Sequence, residues 1–305
     1  MSGPGFTWRL GWTQPGKSRG CGSLRQRLLI ACPDAAGIIR SVATVLHEAG
    51  ANIVSSDQYS EDPNEGMFFM RTEFDWEPSA GDLQTLQVGL AQVGQRYDMT
   101  MRLTRADDRK RLAIFVSRSS HCLHELLWQW QTGEIQADLT VVAGNHPDHQ
   151  TTVQRLGIPY VYVPMTRDRR QAAEERLWQA AQSSDLIVLA RFMQILSPRF
   201  VAGWEGRMIN IHHSFLPAFV GADPYRQAFA RGVKLIGATA HYVTEELDAG
   251  PIIEQDVQRV DHSHRVDDLR RIGSHIERQV LARAVRWHLE DRVLVHGGRT
   301  VVFRA

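Results

Sequence analysis

The 305 residues suffice for two domains with cores of their own, and 43% hydrophobic against 23% charged residues is the composition of a globular protein. Thirty-five Lys and Arg against 34 Asp and Glu leave a net charge of +1, so there is no broad basic field and nucleic acid is not an implied partner. No apolar run approaches the roughly 20 residues that span a bilayer, which excludes a membrane-spanning helix, and three scattered cysteines (Cys21, Cys32, Cys122) fit neither a disulfide framework nor a zinc pattern. The expected compartment is the cytoplasm.

Residues 1–26 carry Gly, Arg, Lys and Ser without Asp or Glu. This is the composition of a transit peptide, but no amphipathic apolar face accompanies it, and the segment reads as a disordered extension. Residues 28–32 form a short apolar strand, and Ile38, Ile39, Val42, Val45 and Leu46 then recur at helical spacing up to Gly50. Residues 51–60 and 67–74 read as strands around the turn sequence 61–66, residues 82–93 as a helix and 97–103 as a strand. The order is βαββαβ, which predicts a ferredoxin-like domain over 27–105 with its helices on one face of an antiparallel sheet. The polar run 106–110 is the expected linker.

From residue 111 to 305 a second α/β domain is expected. Strands over 112–116, 139–143, 160–163 and 186–190 alternate with helices over 121–130, 149–156 and 170–181, and a strand over 208–211 follows. Continuous apolar strands between amphipathic helices predict a mostly parallel, Rossmann-like sheet covered on both faces. Residues 235–243 should add a strand, 266–289 one or two helices, and 293–303 a hairpin turning at Gly297 and Gly298.

Asn210 and His212 lie two apart at the end of a predicted strand, so their side chains leave it on one face. Asp248 comes from a separate loop, Leu247-Asp248-Ala249-Gly250-Pro251. An amide donor, an imidazole and a carboxylate can cleave an acyl group without metal or covalent nucleophile. The strand end that begins the second domain is followed by Ser117-Arg118-Ser119-Ser120-His121-Cys122-Leu123, a turn without glycine. Phosphate cradles are usually glycine-rich, so this turn argues against a phosphorylated acceptor and leaves water as the natural one.

Three motifs in order, residues 188–197, Asn210-Ile211-His212 and the 247–251 loop, resemble the formyltransferase fold that binds 10-formyltetrahydrofolate. Within it the chain is most similar to the formyltetrahydrofolate deformylases. The features that favour them are His213 where ribonucleotide transformylases usually have Pro, the 116–123 turn, the segment 232–241 and the N-terminal domain. Arg118, where the family usually has Lys, and Asp223 and Arg226 depart from the common pattern at the pocket rim.

The resemblance implies a hydrolase that converts 10-formyltetrahydrofolate to formate and tetrahydrofolate, supplying formate for purine synthesis and balancing the one-carbon pool, with no metal and no cofactor. It implies Asp248 as the carboxylate that activates or holds water, His212 as the acid, Asn210 as the oxyanion donor and His241 in support. Phe192, Met193, Ile195, Leu196, Val243, Thr244, Glu245, Glu246 and Leu247 match segments that line the pterin pocket. The pairs His262/His264 and His146/His149 lack a third metal ligand by spacing, and Cys122 beside His121 invites a thiol-nucleophile alternative that hydrolysis by the trio does not need. The N-terminal domain resembles an ACT domain, with Asp34, Gly37, Asn52 and Ile53 where relatives hold an amino-acid effector; methionine or glycine is implied, as is a homodimer or homotetramer. The alternatives are a formyltransferase with a non-phosphorylated amine acceptor and a folate- or amino-acid-binding regulator.

Overall fold

A computed structural model describes residues 24–62, 66–77, 83–217 and 224–304. Most of the expected extension, the turn tip 63–65 and the segment around Asp223 therefore lie outside the described residues. The chain divides into two compact units, residues 1–108 with 290–297 and 301–305, and residues 109–289 with 298–300.

The first unit runs β1 (Leu24–Pro33), α1 (Ile38–Glu48), β2 (Asn52–Ser60), β3 (Met67–Trp76), α2 (Leu83–Arg96) and β4 (Thr100–Arg105), in a sheet of order β2-β3-β1-β4. All its pairings are antiparallel, giving the expected βαββαβ arrangement. The first strand begins at Leu24, so the expected boundary at residue 27 falls inside it; Gln26 already pairs with Phe74 and Arg105. The last strand starts later than expected, because Tyr97 still closes the α2 helix and Asp98 makes a left-handed turn (φ 50°). Alternation along β1 sends Leu28, Ile30 and Cys32 to one face, where Ile38, Val42 and Leu46 of α1 and Leu86 and Leu90 of α2 cover them.

Leu29 and Phe69 point to the opposite face and meet Leu294 and Phe303. These come from the hairpin that was expected within the second domain. It follows a 24-residue helix as the strands Val293–His296 and Arg299–Val302, and it packs instead on the back of the first sheet. A buried polar seam fixes it there. Arg71, 1% exposed, donates from Nε to the Asp291 carbonyl at 3.1 Å and from Nη2 to the Glu290 carbonyl at 3.0 Å. The Asp291 carboxylate meets Arg102 Nη2 at 2.7 Å and accepts from Thr104 Oγ1 at 3.0 Å.

The second unit runs β5 (Lys110–Val116), α3 (His121–Gln131), β6 (Ala137–Gly144), α4 (Gln150–Arg155), β7 (Tyr160–Tyr162), α5 (Arg170–Ala181), β8 (Leu186–Ala190), α6 (Pro198–Gly203), β9 (Met208–His212), α7 (Pro224–Arg231), β10 (Leu235–Tyr242), β11 (Ile252–Arg259) and α8 (Val266–Leu289). The hairpin strands β12 (Val293–His296) and β13 (Arg299–Val302) turn through Gly297 and Gly298, both at positive φ as the tight hairpin turn requires. The seven-stranded sheet has the order β11-β10-β9-β8-β5-β6-β7. Strands β5 to β9 are parallel, and β10 and β11 are added antiparallel. The order reverses between β5 and β8, and ligands in such sheets bind outside the carboxyl ends of the strands at that switch.

Candidate active site

β9 carries Asn210 and His212 to the carboxyl edge of the sheet, one residue further than the sequence pattern indicated. The antiparallel neighbour β10 places His241 directly opposite Asn210. The chain then turns through the 243–250 loop, and Asp248 sits in the left-handed region (φ 57°), where only a special constraint keeps a non-glycine residue. Gly250 supplies part of that constraint, since any Cβ there would collide with the Tyr242 carbonyl. Thr244 Oγ1 donates to the Glu246 carbonyl at 3.0 Å and tightens the same loop.

These elements bring the expected residues together. The Asp248 carboxylate lies 3.2 Å from His212 Nδ1 and 3.7 Å from His241 Nε2. Asn210 Nδ2 is 3.2 Å from His241 Nε2, and His241 Nδ1 is 2.9 Å from the Tyr242 carbonyl. A carbonyl only accepts, so His241 carries its proton on Nδ1 and its Nε2 accepts one amide N–H of Asn210, leaving the other N–H of that amide for a ligand. The hydrogen bond from His212 Nδ1 holds the Asp248 carboxyl well below the usual carboxylate range against the opposing effect of burial. His212 Nε2 is buried without a hydrogen-bond partner among the described residues. Such a group at a strand end is poised for a reactant.

The expected pocket residues divide. Phe192 and Leu196 are core: the Phe192 ring packs tilted against Phe115 with centroids 5.5 Å apart, and both belong to the cluster under β5 and β8. Val243 packs partly buried against that cluster, Thr244 is half-buried, and Glu245 and Glu246 are exposed. Met193, Ile195 and Leu247 stand 58%, 62% and 60% exposed, large apolar side chains without cover. The 191–197 loop that bears two of them is pinned, with Arg170 donating to the Ile195 carbonyl and Glu174 accepting from the Ser197 backbone and hydroxyl.

Beside the trio lies a buried polar cluster that the sequence reading passed over. Glu277, 2% exposed on α8, accepts from Tyr225 Oη at 2.6 Å and from His121 Nε2 at 2.8 Å, with Arg191 Nε at 3.4 Å. Burial raises the Glu277 pKa, but His121 and the Arg191 guanidinium outweigh it and hold the carboxyl below its ordinary range. The signal was present: Glu277 falls on the stripe Gly273, Ile276, Val280, Leu281 and Ala284 that α8 buries, and a carboxylate on an apolar stripe demands partners. The His213 ring lies between those of His212 and Tyr225, tilted against each, with centroids 5.3 and 6.0 Å away. Burial, then Arg191, push it down to about 4. Cys122 also touches this cluster, with ligand atoms of His121, Cys122 and Glu277 within 4.8 Å of one another. Burial and the Glu277 charge push its thiol up, which opposes the thiolate a nucleophile needs. His149 Nε2 lies 2.9 Å from the Ser117 carbonyl, and His264 is paired with Asp261.

The four expected effector residues do not meet within one chain. Asp34 accepts from Ser60 at the end of β2, and Gly37 caps α1 with φ 93°. Asn52 and Ile53 begin β2 opposite Asp75 and Phe74. A strand of this length separates the two pairs by about 25 Å.

A formyl transferase family model matches residues 110–285, and an ACT domain model residues 27–75. The formyltetrahydrofolate deformylase of Bacillus subtilis is 53% identical over 91% of this chain and 93% of its own length. The chain belongs to the formyltetrahydrofolate deformylases. A deformylase crystal structure from Pseudomonas syringae superposes with a TM-score of 0.87 at 44% identity, covering 93% of this chain and 95% of that one. A glycinamide ribonucleotide transformylase from Symbiobacterium toebii is similar over only 64% of this chain, with TM-score 0.60 and 30% identity. The deformylases thus match both units, whereas the transformylase match spans a smaller share.

Proposed function

We infer that this chain hydrolyses 10-formyltetrahydrofolate to formate and tetrahydrofolate. The observation that carries the reading is the Asp248 carboxylate held 3.2 Å from His212 Nδ1 beside Asn210 at the carboxyl edge of the sheet, in a chain 53% identical to a deformylase over 91% of its length. A carboxylate so far below its ordinary range is a weak base, so Asp248 serves to orient His212 and to hold the water. The water oxygen bonds to the formyl carbon while one of its protons passes to His212 Nε2. The resulting imidazolium is stabilised by Asp248, in the logic of a base steered by a buried carboxylate. The free amide N–H of Asn210 takes the oxyanion. As the carbon–nitrogen bond breaks, His212 returns the proton to the folate nitrogen. Met193, Ile195 and Leu247, each more than half exposed, give the pterin ring its apolar surface.

The ACT-type unit is read as a small-molecule effector domain, with methionine or glycine as the effector. Its two residue pairs lie at opposite ends of edge strand β2, so a complete site requires two copies paired antiparallel, which sets Asn52 of one beside Asp34 of the other. Ile53 and Tyr59 leave that edge strand apolar and exposed. No described helix is long and apolar enough to cross a membrane.

The test is formate release from 10-formyltetrahydrofolate with no acceptor present, for wild type, Asp248→Ala and Asn210→Ala, with and without methionine or glycine. Wild type should release formate. The Asn210 change should lower kcat by roughly 10²- to 10³-fold, and the Asp248 change by at least as much, with KM changed little. Formyl transfer only when an amine is added would favour a transferase, and loss of folate affinity without loss of turnover would favour a regulator.

A further inference from the structure

Arg191 is in an expensive position. It follows β8 in the left-handed region (φ 59°), where glycine is the residue of least strain. Its guanidinium is nevertheless buried, with Nε and Nη1 lacking any hydrogen-bond partner among the described residues. The ion pair to Glu277 at 3.4 Å neutralises its charge without satisfying those N–H groups. Glu277 is itself fixed by Tyr225 and His121, so the guanidinium is anchored from behind.

The parallel register of β8 and β9 sets Leu189 beside Asn210. Two residues further on, Arg191 and His212 leave neighbouring strand ends. Each therefore brings unsatisfied buried nitrogen to the same edge of the sheet: the Arg191 N–H groups and His212 Nε2. Buried charged donors are rarely left empty-handed in a working protein, and a guanidinium fork suits a carboxylate.

We propose that Arg191, anchored by Glu277, is the binding residue for the second reactant and its product: it orients the attacking water and then holds the formate. The proposal rests on the hydrolase reading above. In the step, the water oxygen forms a bond to the formyl carbon, the carbon–nitrogen bond breaks, the nitrogen takes one proton, and the other leaves to solvent as formate forms. The group that gains negative charge is the small carboxylate beside Arg191. A fixed cation there stabilises it more than the neutral water it replaces.

The experiment uses the full-length chain, with formate as the probe. Formate is titrated as a product inhibitor of 10-formyltetrahydrofolate hydrolysis in wild type, Arg191→Gly, which relaxes the backbone while removing the charge, and Arg191→Lys, which keeps the charge. In Arg191→Gly the formate inhibition constant should rise and kcat should fall, each by roughly tenfold to a hundredfold, with KM for the folate within about twofold. Arg191→Lys should recover part of both. Arg191→Gln replaces the glycine variant if the latter does not fold. Unchanged formate inhibition in the uncharged variant overturns the proposal. So does a fall in kcat and thermal midpoint accompanied by a matching rise in folate KM, which would make Arg191 a structural prop. A wild type that releases no formate overturns the hydrolase reading instead, and one that releases formate but is never inhibited by it overturns the proposal alone.

Discussion

At the scale of single residues, the site is governed by which nitrogens carry protons. Asp248 keeps its charge through the whole neutral and mildly acidic range, because the hydrogen bond from His212 holds its carboxyl low. His213 behaves in the opposite sense. Burial holds it down to about 4, whereas an unfolded histidine titrates near about 6.5. Between those values the unfolded chain takes up a proton that the fold refuses, so stability falls as pH drops from about 6.5 to about 4. His213→Gln does not titrate. The loss of thermal midpoint on going from about pH 7 to about pH 5 should be smaller in that variant than in wild type; equal losses would show that other groups set the acid limb.

At the scale of elements, the site is made by strand ends and one long helix. Gly273 in the middle of α8 leaves space for Tyr225, whose ring and hydroxyl would collide with any Cβ there. Tyr225 can then reach Glu277 one turn later. Alanine at 273 gains about 1 kcal/mol of helix propensity but forces the ring aside at roughly 1–3 kcal/mol, and it weakens the Glu277 anchor. Gly273→Ala should therefore lower the urea midpoint in wild type and raise it in a Tyr225→Ala background, a coupling that a double-mutant cycle measures directly. Much of the element order was legible in the sequence because period-2 and period-3.6 patterns are local: the βαββαβ order, the parallel run β5 to β9 and the Gly297-Gly298 turn all follow from them. Asn210, His212 and Asp248 were legible through their motifs. Arg191 and Glu277 were not, because their pairing joins a strand end to a helix distant in sequence. The separation of Asp34 from Asn52 was likewise hidden until strand register gave each its end of the sheet.

At the scale of the whole molecule, the two units have interleaved sequences. The first is completed by residues beyond α8, which supply Leu294, Phe303 and the buried Asp291. Asp291→Ala would leave Arg102 without its 2.7 Å partner and Thr104 without its acceptor. Losing the buried partner of these two groups is destabilising, and the loss should appear as early unfolding of the first unit by hydrogen exchange. A uniform shift across both units would show that the two unfold as one. During translation, then, the first domain to leave the ribosome is the last to be finished. At about 5–20 residues per second, the outer face of Leu29 and Phe69 waits on the order of tens of seconds for its cover. A nascent chain stalled between the end of β4 and Val293 leaves that apolar face of the first sheet without the residues that cover it.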